Sequence, residues 1–198
     1  MRLKSILVGA ALAGVTLVAS SNLVQAQVCR QNEVVSPSKQ TRVFRQERFN
    51  YSFRLPDNYR VMALRDNGVL VLDPNSFETA QCFVRNKAAT EFPDGISVYS
   101  KSVNPGKRSI ADIVRQDGIP LENIKTTTVA NQAAISYNIS VMGYQKSVSF
   151  FSPNRKSMIT ITVPYNFETN ARGERVPARI FNEGVFNTVI SSFTFIRR

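Results

Sequence analysis

From Phe49 onward, apolar residues recur at every second position. Phe49, Tyr51, Phe53 and Leu55 alternate with Asn50, Ser52 and Arg54. A period of two puts all four apolar side chains on one side of an extended strand, so this segment needs a partner sheet or helix to cover that side. Pro56-Asp57-Asn58 ends the pattern. The same signature returns down the chain. Arg65-Asp66-Asn67-Gly68 is a turn, because Asn-Gly tolerates positive φ. Val69–Leu72 follows, apolar on both sides and therefore central, and is stopped by Asp73-Pro74-Asn75. Ile96–Val103 alternates again and closes at Asn104-Pro105-Gly106. Two strands lie at Lys125–Val129 and Ala133–Val141. A hairpin joins Gln145–Phe151 to Ser157–Val163 around Ser152–Lys156.

Two stretches have helical spacing instead. Ser109 reads as an N-cap, with Asp112 in the first turn, Ile110, Ile113 and Val114 on one side, and Gly118 as the stop. Pro177 suits a first helical turn. Ile180, Phe181, Val185, Val189 and Ile190 then follow at helical intervals, before a short last strand at Phe193–Phe195. No internal repeat is visible. The expectation is one α+β domain over residues 49–198, a mainly antiparallel sheet with two or three helices packed on it.

The first residues have a different character. Arg2 and Lys4 precede an apolar run from Ile6 to Ala19, and a polar stretch ends in Val24-Gln25-Ala26. This three-part layout is that of a secretory signal cleaved after Ala26. The apolar run is shorter than the roughly 20 residues that a membrane span needs. Val28 stands where a lipoprotein signal needs a small residue before Cys29. Residues 27–48 form a basic, extended lead-in with Arg30, Lys39, Arg42, Arg45 and Arg48. The chain carries a formal charge of +11, and losing Arg2 and Lys4 leaves 11 − 2 = +9. Export to an oxidising compartment such as a periplasm makes the cysteine count readable. Cys29 and Cys82 are the two cysteines, and an even pair in an oxidising compartment points to a disulfide. The alternative is one buried and one exposed free thiol.

The chain contains no His and no Trp. That excludes a Ser-His-Asp triad, a Cys-His dyad and imidazole metal ligands, and two Cys cannot build a four-thiolate zinc site. Ser36-Pro37-Ser38-Lys39 matches an acylation motif by spacing, but Pro37 sits inside it and the companion motifs are missing. Asp66, Asp73, Glu91 and Asp94 lie near turns. Turn propensity accounts for the three aspartates, and paired-carboxylate hydrolysis would need two acids brought together in space. Asp73-Pro74-Asn75 lacks the acid and Gly spacing of a calcium loop. The 13 Phe residues fall mostly on strand positions and read as core. No catalytic, metal or cofactor set emerges.

Basic residues cluster at Arg42/Arg45/Arg48, Lys107/Arg108, Arg155/Lys156, Arg172/Arg175/Arg179 and Arg197/Arg198. Such a chain is drawn to acidic protein surfaces or anionic headgroups. No helix-turn-helix, RNP-like or zinc-finger pattern points to nucleic acid.

The order of elements resembles the PsbP-like family of photosystem II extrinsic and accessory proteins. The resemblance rests on Phe49–Pro56, Val69–Pro74, Ile96–Val98 before the Ser109–Asp112 helix start, the Tyr144–Pro164 hairpin, and Phe186–Phe193, and it covers roughly Phe49–Phe195. It implies an α/β/α sandwich. It also implies a non-catalytic protein that docks on, or helps assemble, a membrane-associated complex, which in a photosynthetic source is photosystem II, reached from the thylakoid lumen. Basic N-terminal segments are implicated in docking in that family. Arg42, Arg45 and Arg48 are therefore the expected docking groups, with Lys107 and Arg108 from the loop. The family's metal sites lean on His, so no metal ligand is carried over. Two other readings stay open: a carboxylate-based envelope hydrolase, and a small-molecule carrier with an apolar cavity.

Overall fold

The computed structural model describes residues 29, 33–88, 90–106, 108–115, 118, 120–140, 143–180 and 182–196. The expected export segment lies outside them, as do Lys107, Arg197 and Arg198. The strands are β1 (Thr41–Gln46), β2 (Tyr51–Pro56), β3 (Arg60–Ala63), β4 (Gly68–Leu72), β5 (Ile96–Ser102), β6 (Glu122–Val129), β7 (Gln132–Ile139), β8 (Gln145–Phe151), β9 (Ser157–Thr169), β10 (Arg175–Ile180) and β11 (Thr194–Phe195). The helices are α1 (Pro74–Asn86), α2 (Ile110–Arg115) and α3 (Glu183–Ser192). One large sheet runs β3-β4-β5-β9-β8-β7-β6, with β10 beside β9, and a small sheet runs β1-β2-β11. Every pairing is antiparallel. The protein is thus α+β and mainly antiparallel, as the alternation requires.

The period of two decides which side each residue faces. Val69 and Val71 on β4, Ile96 and Val98 on β5, Val148 and Phe150 on β8, and Ile159, Ile161 and Val163 on β9 turn one way. They meet Tyr51, Phe53 and Leu55 of β2 together with Val185, Phe186, Val189 and Phe193 from α3 and its end. This is the main core. Phe193 lies against Tyr51, ring centroids 4.9 Å apart, so the last helix and strand close over the first. The other side of the large sheet is covered at two places. Leu70 and Leu72 pack on Ala80 and Phe77 of α1. Ile135, Tyr137, Phe151 and Met158 pack on Ile110, Ile113 and Val114 of α2. Between the helices the sheet carries hydroxyls, with Tyr137 Oη 2.9 Å from Ser149 Oγ, Ser149 Oγ 2.8 Å from Thr160 Oγ1, and Ser147 Oγ 3.0 Å from Thr162 Oγ1.

Three segments differ from the sequence reading. Thr41–Gln46, taken as part of an extended lead-in, pairs with β2 from Thr41↔Pro56 to Gln46↔Tyr51. The same residues that stop β4 also start α1. Asp73 is its N-cap, Oδ1 accepting from Asn75 N and Ser76 N at 3.1 and 3.4 Å, and Pro74 takes the first turn, where its missing N–H costs nothing. The expected helix from Pro177 is instead β10, paired with β9, and α3 begins only at Glu183. Pro177 sits at the register shift of that pair, where a strand tolerates a residue without an N–H.

Cys29 and Cys82 are joined by a disulfide, which ties the start of the described chain to α1. The segment after it is stitched down. Val35 N donates to Asp73 Oδ1 (3.1 Å), Asn75 Nδ2 to the Glu33 carbonyl (2.7 Å), and Ser38 N to Asn58 Oδ1 (2.9 Å).

Candidate docking surface

On β1, successive side chains point to opposite sides. Arg42 shares the inward side with Phe44, which packs on the main core. Its Nη2 donates to the Tyr59 carbonyl at 2.7 Å, and its buried Nε has no partner. Arg45 is exposed on the other side of this edge strand. The two arginines grouped by sequence therefore face different surroundings, and Arg42 is a tie between β1 and the turn before β3. Arg48 follows in the short 3-10 turn Glu47–Phe49. It is exposed, with its guanidinium 5.5 Å from the Phe49 ring centre.

The β8–β9 turn brings distant basic residues towards Arg48. Arg48, Phe49 and Asn50 form one wall of a groove of about 280 Å3, and the other wall is Ser152, Pro153 and Asn154. On the far side of Pro153 lies a second groove of about 340 Å3, lined by Arg108, Ser109, Gln132, Phe151 and Arg155. Pro153 belongs to both, so the turn is a ridge with a groove on each flank. The ridge is internally wired. Ser152 Oγ donates to Asn154 Oδ1 (2.8 Å), which also accepts from Lys156 N (3.0 Å), and Ser157 N donates to Ser152 Oγ (3.0 Å).

Both guanidinium groups of the second groove are held in place. Arg155 lies 4.4 Å from the Phe151 ring centre, and its Nη2 donates to the Arg108 carbonyl at 3.5 Å. Arg108 donates from Nη2 to the Asn104 carbonyl at 2.9 Å. Ser109 N and Oγ both donate to Asp112 Oδ2, at 3.1 and 2.6 Å. These two bonds hold the Asp112 carboxyl below the usual range, with Arg115 and Arg108 adding attraction. The chain thus gathers Arg48, Arg108 and Arg155 around one turn, while Arg45 sits on the outer side of β1 and Arg42 is turned inward. Arg155 stands out in the sequence only as part of one basic cluster among five. Its nearness to Arg48 depends on sheet register, which no local pattern encodes.

Of the acidic residues near turns, Glu91 and Asp94 are neighbours, and partial burial together with Glu91 raises the Asp94 pKa. Asp73 is a buried cap, and Asp112 is bound by Ser109. Among the described residues no group of three His, Cys, Asp or Glu could hold a metal ion, and no helix is long and apolar enough to cross a membrane.

No family model matches the chain, and no curated protein matches it. Among solved structures, it is similar to a protein from Bacteroides thetaiotaomicron, with 11% identity, a TM-score of 0.45, and 80% of this chain covered. The chain spans 50% of that protein's length. It is also similar to the cyanobacterial PsbP of Synechocystis sp. PCC 6803, with 14% identity, a TM-score of 0.46, and coverage of 83% of this chain and 96% of the other. The latter belongs to the family whose pattern the sequence resembles. Likeness at this level concerns fold, and the functional reading below is drawn from the side chains.

Proposed function

We propose that this protein is a non-catalytic accessory factor that docks on an acidic protein face of a membrane-associated complex. The observation that carries this reading is the meeting of Arg48, Arg108 and Arg155 around the Ser152–Lys156 turn, on a rigid ridge between two grooves. Guanidinium groups already positioned by ring and carbonyl contacts lose less freedom on pairing with carboxylates than free side chains do. Arg45, exposed on β1, extends the basic surface. The charge of the chain as a whole favours encounter with an acidic partner. The disulfide fits an oxidising compartment, consistent with export.

The test is sedimentation of the full protein with native membranes from its source. The Debye length falls from about 10 Å at 0.1 M salt to about 3 Å at 1 M, so a 1 M wash releases the protein. An Arg48→Glu/Arg155→Glu variant binds at least tenfold more weakly while keeping its melting temperature. Binding that persists in 1 M salt and in this variant overturns the reading. So does equal binding to protein-free anionic vesicles.

A further inference from the structure

Away from the basic ridge, a concavity lies between the C-terminal half of α1 and the β3–β4 hairpin. It has a volume of about 640 Å3, within the range of small-molecule sites, and its apolar walls include Met62, Leu64, Phe83 and Val84. A carrier reading of the sequence asks for a cavity inside the sheet. This one lies instead on the sheet's outer side, under a helix. Beside it lies a smaller alcove of about 230 Å3, and the two share Leu64, Phe92 and Tyr99 in their walls. Phe92 and Tyr99 are 44% and 39% exposed, large rings left uncovered at the junction.

The alcove differs chemically from the basin. Its polar groups are Asp94, Ser97, Gln145 and Thr162, and none of the described residues that line it is Lys or Arg. Asp94 makes no ion pair with a described residue. Partial burial and the neighbouring Glu91 both raise its pKa, which marks a carboxylate short of positive charge. The mouth of the basin carries Arg65, Lys87 and Asp66, so the cations stand at the apolar end, while the charged group lining the polar end is the Asp94 carboxylate, with Glu91 nearby.

We propose that this double cavity binds a cationic amphiphile, its ammonium group in the alcove against Asp94 and the Phe92 and Tyr99 rings, and its apolar body in the basin under α1. Aromatic faces and a carboxylate together form the recognised environment for an ammonium group. The chain as a whole repels cations, so preference for one can come only from a local site.

The experiment titrates the full protein with decyltrimethylammonium, decanoate and decanol, each below self-association, following backbone amide shifts. The ammonium probe is expected to bind at least tenfold more tightly than decanoate and to shift the Phe92 and Tyr99 amides. Asp94→Asn should remove that preference while leaving decanol binding within twofold. Val84→Arg, at a helix position 57% exposed, should block all three probes without lowering the melting temperature. Decanoate binding as tightly as the ammonium probe, an Asp94→Asn variant that keeps the preference, or no binding by any probe would each overturn the proposal. None of these outcomes bears on salt release from membranes.

Discussion

Gly68 of β4 lies directly beneath the ring of Tyr99 on β5. A Cβ on Gly68 would stand 2.7 Å from Cδ1 and Cε1 of that ring. The two residues are register partners, so the ring folds back over its neighbour's backbone. Gly68→Ala is expected to cost about 1 to 3 kcal/mol, the usual penalty of overpacking. In a Tyr99→Ala background the same change should cost much less. Urea denaturation of the four proteins of this cycle measures the coupling, and equal costs in both backgrounds would contradict the contact.

Arg42 and Arg45 separate structure from surface on a single strand. Arg42→Ala removes the bond to the Tyr59 carbonyl and should lower stability by about 1.5 to 3 kcal/mol, the range for a charged hydrogen bond. Arg45→Ala should stay within about 0.5 kcal/mol of the parent. Denaturation midpoints decide it, and membrane binding of the two variants should rank in the opposite order.

Asp73 holds two elements at once. Its Oδ1 caps α1 and also accepts the Val35 amide. Asp73→Ala should therefore exceed the ordinary cap loss of about 1 kcal/mol, reaching about 2 to 3 kcal/mol as buried amides lose their acceptor. Amide exchange should quicken at Val35 as well as in the first turn of α1.

The disulfide closes a long loop, its cysteines 53 positions apart. A Cys29→Ser/Cys82→Ser variant should lose about 2 to 4 kcal/mol in guanidinium unfolding. Adding reductant should bring the parent protein to the same midpoint and leave the variant unchanged.

Tyr51 and Tyr59 give an alkaline limit. Burial pushes both hydroxyls up to about 12. Ser100 beside Tyr51 offsets this in part, although the two hydroxyls fall short of hydrogen-bonding geometry, and Asp73 adds to the rise at Tyr59. A raised folded pKa means that stability is fully present below the unfolded value near 10 and is lost as pH climbs towards 12. Unfolding free energy should fall across that window. Tyr51 and Tyr59 should ionise only together with loss of structure, read by phenolate absorbance.

The alternation in β2 and β5 was legible because one residue type per side is all that a sheet asks of its sequence, and β4 was legible as an apolar run between two turns. The β8–β9 hairpin was legible from the polar turn at Ser152–Lys156 between its two strands. Helix α1 was hidden because Asp-Pro-Asn serves equally as a stop and as a cap. β10 was hidden because Pro177 suits a helix start, and only pairing with the far end of β9 decides otherwise. The Cys29–Cys82 link followed from pairing the two cysteines. The ridge did not follow, because Arg48 and Arg155 come together through two separate sheets.

The small sheet draws β2 from near the start of the described chain and β11 from its end, and Phe193 completes the aromatic stack on Tyr51. The side of β2 that carries Tyr51, Phe53 and Leu55 is not fully covered before α3 and β11 exist. The fold therefore closes late, with α3 (Glu183–Ser192) and β11 (Thr194–Phe195) acting as the latch. For a chain expected to be threaded through a secretory channel, late closure keeps the polypeptide passable until it has crossed. A truncation of only those residues would leave the greater part of the sequence without a folded state to fall into.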